Sequence, residues 1–157
     1  MPYALLALDQ VVKYLVLTYI PLGGYVPFLP HIVCLTYVQN TGAAFSMFSQ
    51  HTWILALISL IMSVVLAVAL WKNFFTHPLG KVTLALLLAG AVGNLIDRTL
   101  RGFVVDMFQL LFMNFAVFNV ADICVVVGGI AAAAYYLLLA DKLEHKEAPH
   151  GTADADR

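Results

Sequence analysis

Between Gly102 and Ala140 the sequence carries only two charged residues, Asp106 and Asp122. Both are acids set in the apolar run VVDMFQLLFMNFAVFNVADICVVV. A carboxylate among hydrocarbon costs roughly 2.5–3.5 kcal/mol on membrane-insertion scales, so it persists where it is paired, wetted or used. Two carboxylates that share a site cannot both ionise easily; one pKa rises and the pair titrates as a unit holding one proton. Such a dyad supplies a base that takes a proton from water. It also supplies an acid that polarises a peptide carbonyl and later protonates the leaving amine. Spacing alone leaves a second reading open, in which Asp106 or Asp122 is the proton carrier of a small proton-coupled membrane transporter.

Other chemistries find less support. His77, His145 and His150 fall on one side of the apolar spans, while His31 and His51 lie in a loop without an HExxH or cysteine partner motif. There is no GxSxG and no Walker loop. No metal and no cofactor are expected. Cys34 and Cys124 lie in different surroundings, a loop region and an apolar helix-like run, and a disulfide between them is not expected.

The elements that must position the two acids belong to a membrane protein. The 157 residues are 62% hydrophobic and 11% charged, against about 25% charged in a soluble domain. The mean hydropathy is +0.91. The net charge of −1 gives no reason to expect a nucleic-acid partner. A span needs about 20 residues, and four segments are read as spans: 3–20, 52–71, 82–100 and 120–140. The first is interrupted by Asp9 and Lys13, has no basic stretch before it and no small-residue cleavage site before Pro21. It reads as a retained helix rather than a signal peptide. Lys72, Lys81, Lys142, Lys146 and Arg157 fall on one side, Arg98 and Arg101 on the other. This bias puts both termini in the cytoplasm. Residues 1–141 then form one four-helix membrane domain, and 142–157 a polar, disordered cytoplasmic tail. Two long outer connections remain. Residues 21–51 contain HIVCLTYVQN, which reads as strand. Residues 101–119 are too apolar for an aqueous loop and are expected to lie along the membrane surface or against the bundle. Asp106 and Asp122 both fall near the outer interface.

Three further groups of polar residues stand out. Asp9 and Lys13 share a helix face, either as a self-neutralising ion pair or as a brace for the site. Gly90, Asn94, Asp97 and Arg101 form one helical stripe with Arg98 beside it. Helix packing explains the glycines and the asparagine, but an Asp–Arg pair at the outer end less well. Asn40, Thr41 and Gly42 mark a turn within VQNTGAAFS.

Taken in order, the blocks DQVVK (Asp9–Lys13), VQNTGAAFS (Val38–Ser46), GAVGNLIDR (Gly90–Arg98), GFVVDMF (Gly102–Phe108) and FNVADI (Phe118–Ile123) resemble the lipoprotein signal peptidases, or signal peptidase II. The resemblance runs from about Ala7 to Val126. It implies an all-α integral membrane protein of four transmembrane helices, with a small extracytoplasmic β-sheet and an interfacial segment between helices three and four. The implied activity is aspartyl endopeptidase cleavage of diacylglyceryl-modified bacterial prolipoproteins, N-terminal to the lipidated cysteine. The implied location is the bacterial cytoplasmic membrane, with the site near its outer face. By resemblance the catalytic acids are Asp106 and Asp122. Asn40, Gly42, Asn94, Asp97, Arg98 and Asn119 are polar support; as donors, Asn40, Asn94, Arg98 and Asn119 could hold the substrate backbone. Asp9 and Lys13 are structural. Membrane lipids, prolipoproteins and globomycin-type inhibitors are the expected partners, and a monomer is expected. Family members usually begin with a polar or basic leader, so the abrupt start here points to a truncated or misassigned beginning. Ala89, Met107 and Ile123 depart from common family residues, and none of these changes removes a catalytic group.

Overall fold

The computed structural model describes residues 2–42 and 52–139. Residues 43–46 of the VQNTGAAFS block and the tail expected over 142–157 lie outside the described residues. In chain order the elements are α1 (Pro2–Tyr19), β1 (Tyr25–Leu29), β2 (Val33–Asn40), α2 (Thr52–Trp71), α3 (Pro78–Arg101), β3 (Val104–Leu110) and α4 (Val120–Leu138).

Local chemistry sets several boundaries. α1 stops before Pro21, which cannot continue a helical ladder. α3 begins four residues earlier than the span expected at 82. His77 caps it, with its ring nitrogen accepting from the Leu79 N–H at 3.2 Å, and Pro78 occupies the first turn. It ends on Gly102 at φ 79, a left-handed C-cap, with Arg98 and Arg101 in the last turn where the helix dipole favours cations. α2, α3 and α4 are long and apolar enough to cross a membrane. α1 has 18 residues and carries two buried charges, Asp9 and Lys13.

The burial pattern runs opposite to that of a soluble protein. Ile58, Ile61, Val64 and Val65 on α2 and Val126, Ile130 and Leu137 on α4 are exposed, whereas Asp9, Lys13, Asn94, Asp97, Asp106 and Asn119 are buried. Polar groups turned inward beneath an apolar exterior suit a hydrocarbon surrounding. Gly90 and Gly93 permit the close approach this interior needs. A Cβ on Gly90 would lie 2.4 Å from the Ala121 carbonyl oxygen, and one on Gly93 would lie 2.7 Å from Asp9 Oδ2.

The segment after α3 contains a strand that the sequence pattern did not show. Of the two placements expected for it, along the membrane surface or against the bundle, Val104–Leu110 takes the second, as a strand packed on α1. β3 pairs antiparallel with β2, which pairs antiparallel with β1, giving the order β1-β2-β3. The register sets Val38 opposite Asp106 and Asn40 opposite Val104. Four successive residues, Val104 to Met107, are buried, so the strand is covered on both faces. That explains why its sequence shows no alternation. One face packs through Val105 and Met107 against Val16 of α1 and Ile20 just beyond it. Beyond β3, Leu111, Phe112, Met113 and Phe115 are exposed. The chain then returns along β3: Phe108 N–H donates to Phe118 O at 2.8 Å, and Phe118 N–H to Phe108 O at 3.1 Å. This return places Asn119 and the start of α4 beside Asp106.

Candidate active site

Asp106 projects from β3 and Asp122 from the first turn of α4, and both line one cavity of about 470 Å³. Asn119 joins them. It is the N-cap of α4: its side-chain oxygen accepts the Asp122 N–H at 2.9 Å, and its own N–H donates to Asp122 Oδ2 at 3.1 Å. This reciprocal capping box fixes Asp122 by helix-end chemistry alone. The same side chain donates through Nδ2 to Asp106 Oδ1 at 2.6 Å. One asparagine thus holds both carboxylates.

Each remaining carboxylate oxygen also has an amide donor. Asn40 Nδ2 donates to Asp106 Oδ2 at 2.8 Å, and the Asn40 side-chain oxygen accepts the Gly42 N–H at 2.9 Å in a local turn. Asn94 Nδ2 donates to Asp122 Oδ1 at 2.7 Å. The orientation of Asn94 follows from its other side, where Oδ1 accepts from Lys13 Nζ and from Asn119 Nδ2, each at 3.2 Å. Oxygen facing two donors leaves nitrogen facing the carboxylate. Asn40, Asn94 and Asn119 therefore grip the acids, which is the polar support the resemblance implied for them. Arg98 lines the same cavity. Its guanidinium donates at 3.4 Å to Gly42 O and to Ser59 Oγ, while its buried Nε has no partner among the described residues.

Asp97 does not line this cavity. It belongs to a buried ionic chain centred on Lys13, whose three ammonium protons are matched by Asp9 at 3.0 Å, Asp97 at 2.9 Å and Asn94. Asp97 also pairs with Arg101 and accepts the Val105 N–H of β3 at 3.1 Å. Asp9 accepts the Ala121 N–H of α4 at 2.9 Å. The first-helix pair is thus more than self-neutralising: it ties α1 to α3, β3 and α4 directly behind the cavity. The sequence pattern did not single out Gln10, which donates to Asp9 Oδ2 at 3.0 Å. Nor did it reveal the capping box, although Asn-x-x-Asp before an apolar run is its local signal.

The contrast between the acids is informative. Asp9 and Asp97 have ion-pair partners, while Asp106 and Asp122 have none among the described residues. Burial pushes the Asp106 carboxyl up to about 6, and the negative Asp122 pushes the same way. The Asn40 and Asn119 hydrogen bonds and Lys13 pull against this shift. A buried acid that titrates near 6, next to a second carboxyl and inside a cavity, can exchange protons near neutrality. The cavity wall also includes Ile123 and Val125–Val127. Those side chains are exposed on the outside of α4 as well, so the cleft opens sideways between elements.

The signal peptidase (SPase) II family profile matches residues 1–138. A lipoprotein signal peptidase of Enterococcus faecalis is 44% identical over 148 residues, covering 94% of this chain and 91% of the relative. One from Streptococcus pneumoniae is 46% identical over 130 residues, covering 79% and 81%. Among solved structures, a bacterial membrane enzyme determined in meso at 2.3 Å resolution superposes with a TM-score of 0.80 at 28% identity, covering 99% of this chain and 92% of that one. Another, at 1.9 Å resolution, gives 0.79 at 31% identity, covering 87% and 90%.

Proposed function

The chain belongs to the signal peptidase II family, and on that premise we propose that it is a membrane aspartyl endopeptidase. It removes signal peptides from diacylglyceryl-modified prolipoproteins by cutting N-terminal to the lipidated cysteine. Asp106 and Asp122 are the catalytic acids. The observation that carries this reading is that, among the described residues, buried Asp106 and half-buried Asp122 form no ion pair, unlike Asp9 and Asp97, yet share Asn119 and line one cavity.

Asp122 sits at the N-terminus of α4, where the helix dipole favours a negative charge. Arg98 lines the same cavity. Asp122 therefore serves as the ionised base and Asp106 as the protonated acid. Water attacks the scissile carbonyl carbon while Asp122 takes one of its protons. Asp106 gives its proton to the carbonyl oxygen, forming a neutral tetrahedral diol. On collapse, Asp122 passes its proton to the departing amine of the cysteine, the C–N bond breaks and the diol returns a proton to Asp106. The dyad ends as it began, and the amide donors hold both carboxyls in place throughout.

In this reading α1 is a fourth membrane span, because its two charges are neutralised inside the bundle. Both termini face the cytoplasm, and the site lies at the outer leaflet of the bacterial cytoplasmic membrane. The diacylglyceryl group stays among lipid tails while the peptide enters through the lateral opening. Globomycin-type inhibitors occupy the same cleft, and a monomer suffices. The transporter alternative fits less well, since Asp122 occupies the first turn of its helix rather than mid-span.

The direct test is cleavage of a diacylglyceryl-cysteine prolipoprotein peptide by the purified protein. Asp106→Asn and Asp122→Asn should each abolish turnover in folded, detergent-soluble protein. Full activity in either variant contradicts the assignment.

A further inference from the structure

A second cavity, of about 340 Å³, adjoins the first. The two share Asn40, Asp106 and the segment Phe115–Val117. They therefore meet at the reacting carboxyl of Asp106, with β2 on one side and the returning chain on the other. Their linings differ. The first carries Asn94, Arg98 and Asp122 at one end and is otherwise walled largely by apolar side chains, several from α4, whereas the second adds Gln39, Thr41 and Asn114, all three exposed. Asp106 is the sole charged residue lining it among the described residues.

The substrate's chemistry has the same asymmetry about the bond to be cut. The signal peptide and the diacylglyceryl group are both apolar and belong on the hydrocarbon side. The chain following the cysteine is headed for water, and its backbone amides cannot be left unpaired among aliphatic side chains. Beyond Asn40, which both spaces share, the second adds three exposed uncharged polar side chains, whereas Asn94 in the first is engaged with Asp122.

We propose that the cavity bounded by Gln39, Thr41 and Asn114 is the subsite for the peptide on the C-terminal side of the cleaved bond. Its ligand is a short extended stretch of uncharged polar residues directly following the lipidated cysteine. The proposal rests on the peptidase reading above and adds a specificity determinant to it. Side chains beyond the cysteine contribute binding energy remote from the reacting carbonyl, and this energy positions that carbonyl against the dyad.

The experiment compares two synthetic lipopeptides with the same signal sequence and diacylglyceryl-cysteine. One ends as an amide at the cysteine; the other continues through a short Ser/Asn/Gly stretch. Wild-type full-length protein in detergent is expected to cleave the longer with about tenfold higher kcat/KM. Asn114→Trp, which fills the subsite from an exposed position, should bring this ratio close to one. Gln39→Ala should lower it by a smaller factor. Equal cleavage of both peptides by the wild type overturns the subsite while leaving the peptidase reading intact. So does an Asn114→Trp variant that keeps the full wild-type ratio. Failure of the wild type to cut either peptide overturns both readings.

Discussion

Replacing Asn119 separates the two tasks its side chain performs. Its oxygen caps α4 by accepting the Asp122 N–H at 2.9 Å, and its Nδ2 donates to Asp106 at 2.6 Å and to Asn94 at 3.2 Å. Asn119→Ser keeps an oxygen suited to the cap, where serine and asparagine rank alike, but loses both donors. Asn119→Ala loses the donors and the cap. A hydrogen bond to a charged group is worth about 1.5–3 kcal/mol. If that energy holds Asp106 in its reactive position, both variants should lose roughly 10- to 150-fold in kcat/KM. The alanine variant should be less stable than the serine variant by about a further 1 kcal/mol, because the Asp122 N–H is left without its acceptor. The assays are cleavage of a lipidated prolipoprotein peptide and thermal unfolding in detergent micelles followed by circular dichroism. A serine variant with wild-type kcat/KM would refute the reasoning. So would an alanine variant that falls far below serine in activity, since the cap would then account for the catalytic loss.

Two other perturbations follow from the same geometry. The Asn40 hydrogen bond favours ionised Asp106, whose carboxyl titrates at about 6. Asn40→Ala should therefore raise that value and move the alkaline limb of the kcat/KM–pH profile upward; a downward shift contradicts the assignment of Asp106 as the acid. Because the folded state holds this proton from the ordinary 3.8 to about 6, the Asp106 contribution to stability should decline as pH rises through that window. Lys13→Met leaves Asp9 and Asp97 buried without their shared cation. Breaking a buried pair in this way typically costs about 3–5 kcal/mol. A large fall in unfolding temperature is expected, partly restored by adding Asp9→Asn, and an unchanged transition would show that the ionic chain carries no stability.

Much of the helical architecture was legible because its signals are local. The segment read as 52–71 is helical from Thr52 to Trp71, and its apolar run needs no partner to be recognised. α3 begins earlier than hydropathy placed it because His77 and Pro78 start a helix by capping chemistry that a hydropathy window ignores. Asp106 and Asp122 stood out as charges without a local explanation, and the capping box was present in Asn-x-x-Asp for a reader weighing helix ends. The strand at Val104–Leu110 was not legible. A strand buried on both faces loses its alternation, and its partner β2 lies more than sixty residues away in sequence, beyond the reach of periodicity.

The sequence by itself determined which residues could react and which segments are apolar enough to leave water, since both are properties of side-chain type and short-range order. Only the tertiary structure decided what those residues do to one another. Lys13 meets Asp97 as well as Asp9, which takes Asp97 out of the cleft and makes it a brace. The amides of Asn40, Asn94 and Asn119 turn toward the acids, and the return of Phe118 along β3 brings Asp106 and Asp122 into one cavity. Hydrogen-bond direction and ion pairing act across a few ångströms of space. Only packing brings residues separated by 66, 81 or 112 positions within that reach.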